Sequence, residues 1–282
     1  MKRPQWITIG AGVSLVVIIF LWARFTPNKK QVTVGPTNET PVSSSITSDS
    51  ILDEAKKKLT PEQMLRINTL EHSISRGDVK DQQIQVYQQL AHFWADSVAA
   101  FEPYAWYKGE AARLENSEKS LTFAAHLFLD NLENEENPEK RKWKALQAKD
   151  LFERSLKINP ENDSSIVGLG ACYLFGGISA MPMEGIMKIK SVLDKDSNNV
   201  YALMTMAKGS LISGQYDKAV NRLESVNRIQ PDNLEAIMIL ADTYERMNDK
   251  KNAISWYQKS LKYINRQDVK AEVEKRIEEL KK

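Results

Sequence analysis

The sequence predicts an all-α fold, an array of antiparallel helix pairs, behind one apolar segment at the amino end. Three observations predict it. Small residues recur at Ala148, Gly185, Ala219 and Ala253, in steps of 37, 34 and 34 residues, and a fixed period in this range marks stacked helix–turn–helix units. Apolar residues from position 51 onward recur at helical spacing, with no period-two run between turn residues. From Pro4 to Ala23 there is no charged side chain, and about 20 such residues in a helix cross the hydrocarbon layer once.

The apolar segment reads as a transmembrane anchor, residues 1–25. Trp6 and Trp22 stand at its two ends, where indole rings favour the headgroup boundary, and Arg24 can snorkel to it. A cleaved secretory signal would need small residues one and three positions before the cut. Leu21-Trp22-Ala23 supplies only one. Lys2 and Arg3 on one side nearly balance Arg24, Lys29 and Lys30 on the other, so charge hardly orients the span. The short leading tail favours an exported array, in a bacterial periplasm, with a cytoplasmic array as the alternative.

Residues 26–50, rich in Ser, Thr, Pro and Asn, read as a flexible linker. As a coil it would average roughly 25–30 Å end to end. The chain is helical from there on. Thr60-Pro61-Glu62-Gln63 is a helix start with a capping hydroxyl and Gln three residues later. Gly77-Asp78 breaks that run, a second helix carries Tyr87, Leu90, Phe93 and Trp94, and Pro103 opens a third. Residues 51–116 therefore form amino-terminal helices that resemble degenerate or capping repeats. Asn116-Ser117 caps the next helix, and Pro138 opens one that runs to Ile158.

From Asp163 the repeats align in columns: Ile166, Leu203 and Ile237; Leu169, Met206 and Leu240; the small Gly170, Ala207 and Ala241. In the second helix of each unit Phe152, Ile189, Leu223 and Tyr257 follow the small residue by four. A small residue facing a large one lets two helices approach closely. One helix pair alone cannot bury its apolar face, so the pairs must stack.

Residues 213–233, SGQYDKAVNRLESVNRIQPDN, carry Gly214, Tyr216, Ala219, Leu223 and Pro231. Through these the stretch resembles the tetratricopeptide repeat (TPR) almost residue for residue. Ala253, Tyr257 and Leu261 extend the resemblance to 248–265, and Ala148, Phe152, Leu156 and Pro160 to 144–162. It covers about 117–265, and the chain as a whole resembles bacterial membrane-anchored members of this family. The resemblance implies a right-handed superhelical α-solenoid whose first helices line a concave groove for a protein or peptide ligand. The residues it places there are Tyr201, Met204, Lys208 and Leu211, then Glu235, Met238, Asp242 and Glu245, after Val167, Ala171, Leu174 and Phe175 of the preceding unit. Relatives that clamp a terminal carboxylate carry Lys and Asn where Val167 and Ala171 stand, so that mode is not expected. The set implies a groove apolar at one end and acidic at the other. Val269, Val273, Ile277 and Leu280 give residues 266–282 the pattern of a capping helix.

Signals of chemistry are few. No metalloprotease, phosphate-loop or nucleophile-elbow motif is present. His72, His92 and His126 fall on separate helices, and the lone Cys172 reads as a small buried residue. No enzyme activity, cofactor or metal is expected. The five basic side chains of residues 1–30 account for the formal charge of +2, leaving 34 basic against 37 acidic, so no nucleic-acid partner is expected. Two features could exceed packing: the aromatic run from Phe93 to Tyr107, and the loop Gly176 to Gly185 with Met181 and Met183. The expected function is a membrane-anchored scaffold, bound through residues 4–23, that tethers or chaperones client proteins and accompanies secretion or envelope assembly. The alternative is a self-assembling homo-oligomer, for which Gly10 and Ser14 offer a small-xxx-small pair.

Overall fold

A computed structural model describes residues 46–74, 79–178 and 182–282. The anchor, the linker up to residue 45, Gly77-Asp78 and Met181 lie outside the described residues. Those described contain thirteen α-helices and no strand: α1 Ser48–Lys56, α2 Pro61–Ile74, α3 Lys80–His92, α4 Phe101–Glu115, α5 Glu118–Asp130, α6 Pro138–Ile158, α7 Asp163–Phe175, α8 Met183–Lys195, α9 Val200–Ile212, α10 Tyr216–Ile229, α11 Leu234–Arg246, α12 Lys250–Ser260 and α13 Gln267–Leu280. A π-helical turn, Phe93–Val98, follows α3 and ends at Ala99, whose φ is 56°. Among the described residues no helix is long and apolar enough to cross a membrane.

Short polar connections fix where the helices start. Asn162, Asn199 and Asn233, one repeat apart, each cap a first helix by accepting from the backbone N–H of Ser165, Ala202 and Ala236 at 2.8–3.0 Å. This asparagine column went unread in the sequence. At Thr60 the expected box forms, with Gln63 N–H donating to the Thr60 hydroxyl and Gln63 Oε1 accepting from Thr60 N–H. Two starts differ from expectation. Helix α1 begins at Ser48, inside the stretch read as linker, because Thr47 and Ser50 cap each other reciprocally. Helix α4 begins at Phe101, with Pro103 in its first turn, where a missing N–H costs nothing.

The pairs α5–α6, α7–α8, α9–α10 and α11–α12 are the repeating units, each packed on the next. Their small columns meet at the crossings, and Ala207, Ala219, Ala241 and Ala253 are all fully buried. At α7–α8 both partners are glycine. A Cβ on Gly185 would lie 2.5 Å from the Gly170 carbonyl, and one on Gly170 would lie 2.6 Å from Ile189 Cγ1. The Phe152 ring fills the space above Gly168, where a Cβ would sit 2.3 Å from Cζ. Helix α13 closes the array with Val273 and Ile277 on Ala253 and Tyr257.

The aromatic run is core. Phe93 and Trp94 are buried with Ile67, Leu90 and Tyr107, and Tyr104 and Trp106 are half-buried against them. Tyr107 donates to Glu71 at 2.6 Å. No exposed docking patch remains at these residues. Lys144 is buried, yet its ammonium donates to Asn131 at 2.5 Å and Glu135 at 2.6 Å and lies 3.1 Å from Glu102. It ties residues 131–137, a polar insertion between α5 and α6, to α4.

The alanines at positions equivalent to Gly185 make a sharp test. Gly185→Ala is expected to lower stability by about 1–3 kcal/mol, because the new methyl meets a backbone carbonyl that cannot move aside. Ala219→Gly should cost only about 1 kcal/mol, the helix penalty of glycine. Urea denaturation of the two variants checks the difference.

Candidate client-binding clefts

The first helices α5, α7, α9 and α11 should line one continuous face. Residues of all four line one shared cleft. Gly168, Gly170, Ala171 and Cys172 are small and buried on α7, and side chains of α5 and α9 meet across it. His126 of α5 is the joint. Its Nε2 lies 2.9 Å from the Ser164 hydroxyl, and its ring packs edge-on to Phe152 at 5.2 Å and against Tyr201 of α9 at 5.5 Å. Lys208 of α9 donates to both oxygens of Glu133, just after α5, at 2.9 and 3.0 Å, and lies 2.8 Å from Glu235 of α11. Ion pairs this exposed contribute less than about 1 kcal/mol each. The ring contacts and the burial around them hold the closure.

The expected trough is thereby divided into three clefts. The first, of about 620 Å³, is lined by Tyr201, Met204, Lys208 and Glu235 of the expected set, with Asp130 and Glu133 from the α5 side. Ala171 lines it as well, while Val167 is fully buried in the core with Ile189, Val192 and Ala202 rather than lining a groove. The second, of about 950 Å³, lies at the carboxyl ends of the first helices. Lys208 and Leu211 line it with Leu174, Phe175, Ile212 and Ile239. The third, of about 380 Å³, holds Met238 and Asp242 beside α13.

Glu245 lines none of the three. It pairs with Arg276 of α13 and accepts from the Tyr257 hydroxyl at 3.0 Å, because the capping helix lies across its end of α11. Sequence reading missed Asp130, Glu133, Arg141 and Lys142, which follow or flank the insertion after α5. The insertion breaks column alignment, so periodicity gave no sign of them.

The first cleft is acidic. Burial pulls the Lys208 ammonium down, but hydrogen bonds from Glu133 and Glu235 outweigh it and leave its pKa raised. Burial raises the Asp130 carboxyl, a shift that His126 opposes and that Glu133 and Glu235 reinforce. His126 is lowered by burial against the opposing pull of Asp130. The Tyr201 hydroxyl is buried with no hydrogen-bond partner among the described residues. Cys172 is buried and its thiol is pushed up to about 12, which disfavours the nucleophilic thiolate. Among the described residues no group of three or more His, Cys, Asp or Glu is placed to hold a metal ion.

Comparison with known proteins agrees with this geometry at the level of fold. A family model described as Regulator of microtubule dynamics protein 1-3 matches residues 199–282. Lipopolysaccharide assembly protein B of Haemophilus influenzae is 30% identical over 144 residues, 49% of this chain, and the chain spans 35% of that protein's length. A crystal structure of a tetratricopeptide repeat protein from Parabacteroides merdae aligns with a TM-score of 0.52 and 13% identity, over 82% of this chain and 85% of its own. MamA aligns with a TM-score of 0.43 and 13% identity, over 64% of this chain and 91% of its own. The fold is that of the tetratricopeptide repeat proteins.

His126 makes the closure pH-sensitive. Its folded pKa lies below the ordinary 6.5, so the unfolded chain binds the proton more readily. The stability it contributes is present above pH 6.5 and is lost as the pH falls through the lowered folded value. Urea midpoints measured on acidification should therefore drop less steeply in His126→Gln than in the wild type.

Proposed function

We propose that this chain is a non-catalytic, membrane-anchored interaction scaffold whose first helices hold segments of client proteins. The observation that supports it best is the meeting of α5, α9 and α11 around the first two clefts, which share Lys208 and Glu133. Clefts of several hundred cubic ångströms with apolar floors and a few polar groups are suited to binding rather than to exclusion of solvent. Repeat arrays present such surfaces because each unit contributes one helix to the same side. Residues 4–23 would anchor the array and 26–45 would space it from the bilayer. The likeness to Lipopolysaccharide assembly protein B favours clients that take part in envelope assembly, with the array on either side of the membrane. The family model matches residues 199–282, the end of the array that α13 caps.

Two experiments test this reading. A photo-crosslinking amino acid at Glu235, exposed on the wall of the first cleft, should capture discrete client bands in intact membranes. The same group at Lys190, exposed on the second helix α8, should not. Equal capture at both positions, or none at either, would count against a groove-borne client. Deleting residues 1–25 should move the protein from the carbonate-resistant membrane fraction to the supernatant. Retention in the membrane would remove the anchor from the account.

A further inference from the structure

The second cleft differs in chemistry from the first, and the difference specifies an occupant. Its floor is apolar, formed by Leu174, Phe175, Leu211 and Ile239, all half-buried. Ile212 lines it too, with 74% of its surface exposed. Around this floor stand Arg141, Lys142 and Arg246. None of the three pairs with a carboxylate among the described residues. Arg141 is held in place by donating to the Glu135 carbonyl through Nε at 3.0 Å and through Nη2. Of the two carboxylates lining the cleft, Glu133 is already engaged by Lys208, which leaves Glu139 against three cations. The first cleft, on the other side of the Lys208–Glu133 bridge, has the opposite balance, with Asp130, Glu133 and Glu235 around one lysine.

We infer that the second cleft is a docking site for an acidic, apolar peptide segment of a client protein. Its Leu or Phe side chains would enter between α7, α9 and α11, and its carboxylates would meet Arg141, Lys142 and Arg246. The inference rests on the scaffold reading above and deepens it by naming the partner's chemistry. Charge complementarity decides the sign of the occupant, since a basic segment would face three uncompensated cations. The recessed floor favours a peptide over an anionic bilayer. On a membrane-binding surface the apolar groups protrude into the acyl region, and here four of the five are half-buried. The arrangement also differs from a clamp for a terminal carboxylate, because the cations flank an apolar floor of several side chains rather than closing on one point.

The test is an array of 12-residue peptides in three classes, acidic-apolar, basic-apolar and acidic without apolar residues, probed with the full-length protein in detergent. The acidic-apolar class should be enriched, and hits remeasured by fluorescence anisotropy should weaken with added salt. The double variant Lys142→Glu/Arg246→Glu should weaken binding at least tenfold, and so should Ile212→Asp. All three positions are exposed, so these variants keep the fold, which circular dichroism checks. Preference for basic-apolar peptides, equal binding by the variants, or no binding by any class would overturn the inference. So would co-sedimentation with phosphatidylserine vesicles that depends on the same three positions. In each of those cases crosslinking from Glu235 could still capture a client, so this site would fail without the scaffold reading failing with it.

Discussion

Helix α7 places small residues, Gly168, Gly170 and Ala171, at three of its contacts with neighbouring helices, and the local arrangement around it follows from them. Gly168 admits the Phe152 ring, and Gly170 lets the backbone of α8 approach at Gly185. Ala171 allows α5 and α9 to meet above. At the equivalent positions further along stand alanines, Ala207, Ala219, Ala241 and Ala253, all fully buried. A repeat fold is a sum of near-identical interfaces, so one interface with smaller residues changes the surface locally and leaves the rest of the array regular.

The functional consequence is compartmentation. An even face would offer one trough, whereas the closure by His126 and Tyr201 and the Lys208–Glu133 bridge leave clefts of different charge. A ligand spanning the first two must present basic groups to one and acidic groups to the other. Specificity then arises from mismatched charge that penalises wrong partners as much as from contacts that reward the right one. The same closure has a buried histidine at its joint, which couples the joint to acidity.

The fold was legible because it is periodic. Ala148, Gly185, Ala219 and Ala253 set the register, and every second-helix partner, Phe152, Ile189, Leu223 and Tyr257, is buried where the period places it. The site was only partly legible. Tyr201, Met204, Lys208 and Glu235 share a cleft because they extend one column rule across adjacent units. Glu245 departs from that rule because α13 lies over it, and Val167 because it packs into the core with Ile189, Val192 and Ala202. Both departures come from contacts between elements that no local pattern encodes. Glu133 is 75 residues from the lysine it binds, in a connection longer than those that follow α9 and α11.

The meeting of α5 and α9 over α7 is the claim on which the division into clefts depends. It is tested most directly by nuclear Overhauser contacts between aromatic protons in protein carrying selectively labelled His and Tyr. With ring centroids 5.5 Å apart, His126 and Tyr201 should give a cross-peak. That peak should vanish on Tyr201→Leu. Absence of the contact in the wild type, with the rest of the array folded, would mean that α7 lies open and that the face is one continuous trough.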